Sequence, residues 1–335
     1  MSGVGYADPI IQVVEKQVKD RGGILGGREV KFFKYDNRAS VAEAQAGARK
    51  LVDDDGVVAL TLGGVSAAEA EAVAAFAEEY GVLYTPFSPI KGIETMKFIV
   101  SAIPGREQCV ARYLDFAIKI AKAKTIGFLA IDFADAHERV RMTKEGATAA
   151  GIEVVYEQYA AAETTDFSPY LTKLKYVNPD AVIMESSTAE FFMSVAKQIT
   201  ELGGFGNIKV CCLSTAEAAK AMPGADGWYT STLWYPAMKT PGSVKFVTDY
   251  KAMHGREPSA TGVYFYMSLW SAIYAIDLAG TDTDRVAIAQ AARSGKLEWD
   301  TPLGHGQWGT DGKSNLSYIL TRVENKQMVD VTIPQ

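Results

Sequence analysis

The chain has 335 residues, of which 48% are hydrophobic, and a formal net charge of -6 at pH 7. Acidic and basic residues are mixed along the sequence, so no basic face indicates a nucleic-acid partner. Cys109, Cys211 and Cys212 are too few for a disulfide framework. The longest apolar run, Val263 to Ile276, is shorter than the roughly 20 residues of a membrane span. The length predicts about two domains.

The amino-terminal residues indicate a helix. Asp8 followed by Pro9 is typical of an N-cap and a first helical residue, and apolar residues with helical spacing follow it. An α/β fold normally begins with a strand before such a segment, and no strand is visible in the sequence ahead of Asp8.

From Asp20 to Pro86 the sequence alternates between strand-like and helix-like segments. A glycine turn leads to the strand REVKFFKYD, a helix, the strand VVALTL, a second helix and the strand VLYTP. This alternation predicts a parallel sheet flanked by helices, whose ligands bind at the carboxyl ends of the strands. The loops after Tyr35, Leu62 and Tyr84 are therefore the first candidates for function.

A second α/β series follows. After a strand over Phe98–Ala102 we expect a helix over Glu107–Lys122 and then strands TIGFLAI, IEVVYEQY, DAVIMES and IKVCCLS separated by helices. Two series of similar size predict two lobes. Gly227–Ser243 is rich in aromatic residues and prolines and indicates a crossing, whose aromatic side chains stack on a flat ligand or pack in the core. Helices and short antiparallel strands around YILTRV complete the chain.

No catalytic or metal-binding pattern is present. His137, His254 and His305 are scattered without the spacing of a metal shell. Gly64–Ala68 lacks the second glycine of a serine-hydrolase elbow, and Gly309–Ser314 lacks the spacing and the strand-to-helix context of a phosphate loop. The sequence therefore predicts no enzyme, no cofactor and no metal site.

The segments RGGILGGREVKFFKYD, ARKLVDDDGVVAL and TPLGHGQWGTDGKSNLSYILTRV resemble the branched-chain amino-acid-binding (Leu/Ile/Val-binding) type of periplasmic solute-binding protein, the receptor component of ABC transporters. The likeness spans nearly the whole chain. It implies a type I periplasmic-binding fold, with two α/β lobes of mainly parallel sheet joined by three hinge crossings and closing on a solute in the cleft between them. Lobe one is expected over residues 1–103 and 230–317, and lobe two over 104–229 and 318–335.

The same resemblance implies a monomeric, extracytoplasmic protein without enzymatic activity that works with ABC permease subunits at the membrane. In this fold a first strand lies in the middle of the first sheet, and the sequence starts after it, without the pattern of a signal peptide. We therefore expect a longer native gene product with a leader and that strand, or a chain less stable than its relatives. A ligand-sensing regulator of the same fold, such as an amide-type sensor, is the alternative, followed by an α/β enzyme.

For lobe one, the resemblance implies three places for ligand contacts. Tyr6 falls where the family often has an aromatic residue beside the ligand. Ser66 begins a helix whose N–H groups could accept a carboxylate, although an ordinary N-cap explains it equally well and both roles can coexist. Pro89 stands where the family has a carboxylate-binding hydroxyl, which leaves Ser88, beside Phe87, as a shifted substitute.

For lobe two, Phe133 and Asp135 occupy a loop that usually carries aromatic residues in the family, and Ser187 follows the strand DAVIME at a position that is often aromatic or small in the family. Ser214 stands where amino-acid binders have an acid for the ammonium group. Glu185 could supply that charge, unless it is exposed or caps a helix. The expected solute is a hydrophobic amino acid, an amide or an aromatic carboxylate. Because a buried ammonium without a carboxylate is costly, the missing acid favours the latter two.

Overall fold

The computed structural model describes residues 4–62, 64, 66–86, 88, 90–186 and 188–334, and the side chains from residue 7 onward. It divides the chain into two compact units, each made of two chain segments. Unit 1 comprises Met1–Gly105 and Pro236–Leu316, and unit 2 comprises Arg106–Tyr235 and Ser317–Gln335.

The helices and strands of the described residues alternate along most of the chain. The helices are α1 (Val4–Asp20), α2 (Val41–Asp53), α3 (Ala67–Tyr80), α4 (Arg106–Asp115), α5 (Ala134–Ala149), α6 (Ser168–Val177), α7 (Ala189–Glu201), α8 (Ala216–Ala221), α9 (Pro241–His254), α10 (Ala260–Ala279) and α11 (Arg285–Ala292). The strands are β1 (Ala59–Leu62), β2 (Leu83–Pro86), β3 (Thr125–Ile131), β4 (Glu153–Ala160), β5 (Ala181–Glu185), β6 (Lys209–Leu213), β7 (Tyr229–Thr232), β8 (Glu298–Thr301), β9 (Gly304–Gln307), β10 (Ile319–Glu324) and β11 (Gln327–Asp330). A 3-10 turn spans Ile93–Thr95, and a π-helix over Phe116–Ile120 extends α4.

Unit 1 has a short parallel sheet in which β1 pairs with β2, from Ala59 opposite Leu83 to Leu62 opposite Pro86. The strand predicted for REVKFFKYD is wrong, because a strand exists through hydrogen bonds to a neighbour and the described residues provide none for residues 29–36. The strand predicted over Phe98–Ala102 is reduced to one parallel bridge between Tyr84 and Ile99. Strands β8 and β9 form an antiparallel hairpin.

The helices of unit 1 cover this sheet with apolar faces. Helix α10 is buried on nearly all sides and packs on β1, β2 and α1, where Ile10 and Val14 are fully buried. The predicted N-cap at Asp8 is wrong, since α1 already runs from Val4 and contains Pro9 within it. A second group of apolar side chains, including Val73 of α3, fills the space between α2, α3 and the sheet.

Unit 2 has a seven-stranded sheet in the order β11-β10-β7-β6-β5-β3-β4. Strands β4, β3, β5, β6 and β7 are parallel neighbours in that order, and β10 and β11 continue the sheet in antiparallel pairing. The strands predicted from TIGFLAI, DAVIMES and IKVCCLS are confirmed, and so is the antiparallel structure at YILTRV. Parallel strands alternating with helices confirm the predicted α/β class.

One strand of unit 2 differs from the expected division of the chain. Strand β7 lies between β6 and β10, so Thr230 to Thr232 belong to this sheet, whereas the expected boundary at residue 230 assigned them to lobe one. The strand was hidden in the sequence because its buried residues are hydroxylic rather than apolar, and Thr230 pairs with Thr321 through Oγ1 atoms 2.6 Å apart. In the described part of the chain, no helix is long and apolar enough to cross a membrane.

Candidate functional site

The loop after β1 is the first carboxyl-end loop of unit 1. Leu62 adopts a left-handed backbone with φ of 70°, which is costly for a branched side chain. The Leu62 N–H donates to Ser268 Oγ at 3.2 Å, and its carbonyl accepts from the Tyr84 hydroxyl at 2.8 Å. At Gly64, with φ of 134°, an added Cβ would lie 2.4 Å from Cβ of Glu69. These contacts hold Leu62 in place and bring Gly64 close to the buried Glu69.

Ser66 and Glu69 form a capping box at the start of α3. Ser66 Oγ accepts the Glu69 N–H at 3.3 Å, while the Ser66 N–H and hydroxyl donate to Glu69 Oε2 at 3.0 and 2.7 Å. Asn37 Nδ2 donates to Glu69 Oε1 at 2.9 Å. Ser66 is therefore an N-cap, as one of its two predicted roles required, and its contact with a ligand stays a prediction. Sequence reasoning missed Glu69, although the S-x-x-E spacing indicated it.

Among the described residues, no cation forms an ion pair with Glu69. The residue is 2% exposed, and its carboxylate accepts hydrogen bonds from Asn37 and Ser66. Burial raises the pKa of the neighbouring Tyr84 above its ordinary value, and the charge of Glu69 raises it further. A carboxylate held only by neutral donors opposes a second anion at the same helix terminus. The start of α3 is thus a poor place for a ligand carboxylate.

The remaining predicted residues of unit 1 can be placed only in part. Ser88 is buried beyond the end of β2. Thr85, in β2, donates from Oγ1 to the Ser268 carbonyl at 2.9 Å. Phe87 lies outside the described residues. Tyr6 lies in α1, and only its backbone is described.

In unit 2, the carboxyl ends of β3, β5 and β6 lie at one edge of the sheet, because these strands are parallel neighbours. Phe133 and Asp135 follow β3, Glu185 ends β5 and Ser214 follows β6. The structure connects three of these four residues through Arg139, which contacts Asp135 and Glu185 and lies over the Phe133 ring, 5.9 Å from its centroid.

Glu185 is the buried centre of an ionic network. Its side chain has no exposed surface and accepts two hydrogen bonds from Arg139, at 3.0 Å from Nε and 2.9 Å from Nη2. The Tyr113 hydroxyl donates to Glu185 Oε1 at 2.5 Å. Asp135 contacts Arg139 through one oxygen and Arg106 Nε through the other. Two carboxylates and two guanidinium groups make the network electrically neutral.

The electrostatics of the network keep Arg139 and Tyr113 protonated. Burial acts to lower the pKa of Arg139, but the charge and hydrogen bonds of Glu185 outweigh it and hold that pKa above its ordinary value. Burial, with the charge of Glu185, holds the pKa of Tyr113 well above its usual range, so the phenol remains a hydrogen-bond donor.

The network changes how Glu185 is interpreted. The reading of Glu185 as an exposed or helix-capping glutamate is wrong, since the side chain is fully buried and paired with Arg139. Its charge is already balanced, so a ligand ammonium would compete with a bidentate guanidinium. Sequence reasoning missed Arg106, Tyr113 and Arg139. Only the spacing of Asp135 and Arg139, four residues apart on one helix, could have indicated a pair.

The remaining predicted residues of unit 2 are Ser214, Ser187 and the aromatic residues of the predicted crossing. Ser214 is 5% exposed, and its hydroxyl donates to the Thr215 carbonyl at 3.3 Å. Ser187 lies outside the described residues. Trp228 and Trp234, which the sequence left open as ligand-stacking groups, are buried. Among the described residues, no group of three or more His, Cys, Asp or Glu side chains could hold a metal ion.

Residues 11–327 match the family model for periplasmic binding proteins. The chain belongs to the periplasmic binding protein family. Among curated members, it is similar to Leu/Ile/Val-binding protein homolog 8 of Brucella abortus, with 25% identity over 269 residues that cover 74% of this chain and 65% of the relative. This periplasmic binding protein thus spans less than two thirds of that relative's length.

Solved structures of periplasmic binding proteins share the fold. A leucine-binding protein from Thermotoga maritima is 22% identical with a TM-score of 0.81, covering 98% of this chain and 93% of that one. An R. palustris solute-binding protein in complex with benzoate is 20% identical with a TM-score of 0.79, covering 97% and 91%. A substrate-binding protein from Streptococcus pneumoniae in complex with isoleucine is 18% identical with a TM-score of 0.81, covering 98% and 94%. These similarities confirm the predicted periplasmic-binding fold.

Proposed function

We propose that this protein captures a small solute for an ABC importer and releases it unchanged. The family match over residues 11–327 carries this proposal, and the names of the relatives, which include amino-acid-binding and benzoate-bound solute-binding proteins of ABC transporters, support it. The protein acts as an extracytoplasmic monomer, and its macromolecular partners are the permease subunits at the membrane.

The proposed ligand contacts are the residues identified from the sequence: Tyr6, Ser66, Phe87, Ser88, Phe133, Asp135, Glu185, Ser187 and Ser214. We propose a hydrophobic amino acid, an amide or an aromatic carboxylate as the solute. The balanced charges of Asp135 and Glu185 support the last two classes, because neither carboxylate is left over for an ammonium group.

A thermal-shift panel tests the proposal. It contains leucine, isoleucine, phenylalanine, benzoate and 3,4-dihydroxybenzoate, with the amide of each. A solute present at about 100 times its Kd should stabilise the native protein by about 2.7 kcal/mol, which is visible as a higher melting temperature. Mass spectrometry of the recovered solute should show it unchanged. If no member of the panel raises the melting temperature, the proposed function is wrong for these classes of solute, and a chemically altered solute would indicate an enzyme.

A further inference from the structure

Arg106 lies at the carboxyl-end edge of the unit 2 sheet. It is the first residue of α4 and of unit 2. Its Nε atom contacts Asp135, which follows the end of β3 at Ile131 by four positions. In parallel sheets this edge is where ligands bind, so the guanidinium is in reach of the ligand side of unit 2.

Arg106 is held in place by a series of ion pairs that begins at a buried residue. Glu185 has no exposed side-chain surface, and the side-chain exposure is 8% for Arg139, 35% for Asp135 and 27% for Arg106. Each of these residues contacts the next in that order. Arg106 therefore stands at the partly exposed end of a series of ion pairs that starts in the core, and its orientation is set before any ligand binds.

The guanidinium of Arg106 has donors to spare. Only its Nε is engaged, and no other described residue accepts a hydrogen bond from either Nη group. Two such N–H groups in one plane match the two oxygens of a carboxylate. The start of α4 adds the positive end of a helix dipole. The four charges of the network cancel, so neither of its carboxylates is available to pair with a ligand cation. A ligand carboxylate, in contrast, can accept hydrogen bonds from the unused Nη groups of Arg106.

We propose that the Nη groups of Arg106 bind the carboxylate of the solute and so determine the preference for acids over their amides. This assignment rests on the proposed function. It differs from the sequence-based expectation that the carboxylate lies near Ser66, where the unbalanced charge of Glu69 opposes an anion.

The test compares an acid with its amide in the wild type and in variants at Arg106 and Arg141. Isothermal titration calorimetry measures benzoate with benzamide, and isoleucine with isoleucinamide, or the panel carboxylate with the largest thermal shift together with its amide. The variants are Arg106→Gln and, as a control that removes one positive charge from the exposed surface of α5, Arg141→Gln. Arg106→Gln should weaken the acid about 10- to 100-fold and the amide no more than about twofold, while Arg141→Gln changes neither.

Arg106→Lys should give a smaller loss for the acid, because it keeps the charge but not the planar fork. Equal losses for acid and amide, or no loss for either, overturn the assignment, and so does a wild-type protein stabilised only by solutes without a carboxylate. If the wild type binds no member of the panel, the proposed function itself has failed. Melting temperatures of the variants show whether a loss of binding reflects a loss of folding.

Discussion

The two units treat a buried carboxylate at their carboxyl-end edges in different ways. In unit 1, Glu69 is held by Ser66 and Asn37, which are neutral donors. In unit 2, Glu185 is held by the guanidinium of Arg139 and the hydroxyl of Tyr113. Neutral hydrogen bonds satisfy the oxygens of Glu69 without pairing its carboxylate with a cation, so only the partial positive charge at the start of α3 offsets it. At the second edge, arginines neutralise the carboxylates and leave N–H donors unused.

The largest expected effect comes from breaking the ion pair of unit 2. Arg139→Leu leaves Glu185 buried without its cation, which should lower the free energy of unfolding by about 3–5 kcal/mol. Urea denaturation followed by circular dichroism measures this loss. Arg141→Leu, on the same helix but half exposed, should cost no more than about 0.5 kcal/mol. Similar losses in the two variants would show that the buried network contributes nothing special to stability.

A smaller effect is expected at the edge of unit 1. Ser66→Ala removes the N-cap of α3 and should cost about 1 kcal/mol, and Ser40→Ala, which removes the N-cap of α2, should cost a similar amount. Only Ser66→Ala should also weaken binding of the solute found in the thermal-shift panel. Unchanged affinity in Ser66→Ala would remove Ser66 from the ligand contacts and leave it as a cap alone.

The smallest effect concerns the opposite end of the unit 2 sheet, where Asp180 accepts the N–H groups of Lys124 and Thr125 at 2.7 and 2.9 Å. These hydrogen bonds hold the pKa of Asp180 below its ordinary value of 3.8. Because the pKa is depressed in the folded state, the stabilisation is present above the unfolded value and is lost as the pH falls below about 4.

Melting temperatures of wild type and Asp180→Asn between about pH 7 and pH 3 measure this contribution. The wild-type advantage should be constant at neutral pH and should shrink in acid. If the difference in melting temperature between wild type and Asp180→Asn stays constant across the whole pH range, the charge of Asp180 does not contribute to stability.

The sequence predicted the elements whose apolar pattern is complete in itself. Strands β3, β5 and β6 are short apolar runs bounded by turns, and each was found where it was expected. Residues 29–36 have a strand-like composition but no partner among the described residues, and pairing is not a property of a single segment. The reverse holds for β7, whose buried Thr230, Ser231 and Thr232 have a polar pattern and form a strand because both neighbours are present.

The candidate site was predictable only where its contacts are local. Ser66 and Glu69 are three residues apart, so their reciprocal cap could be read from the spacing. Arg139 and Glu185 are 46 positions apart, and their pairing follows from the packing of α5 beside the end of β5. The sequence around Glu185 does not show whether its carboxylate is free to bind a ligand or is already paired with an arginine elsewhere in the chain.

The division of each unit into two chain segments has a consequence for synthesis on the ribosome. Helix α1 needs α10, some 240 residues later, to bury Ile10 and Val14, and β7 needs β10 to complete its hydrogen bonding. Neither unit can therefore close before its second chain segment has been made, which is Pro236–Leu316 for unit 1 and Ser317–Gln335 for unit 2. Such late, long-range contacts form slowly, so apolar helix faces stay exposed on the nascent chain. A holding chaperone, or an export machine that requires unfolded substrates, would bind these exposed faces.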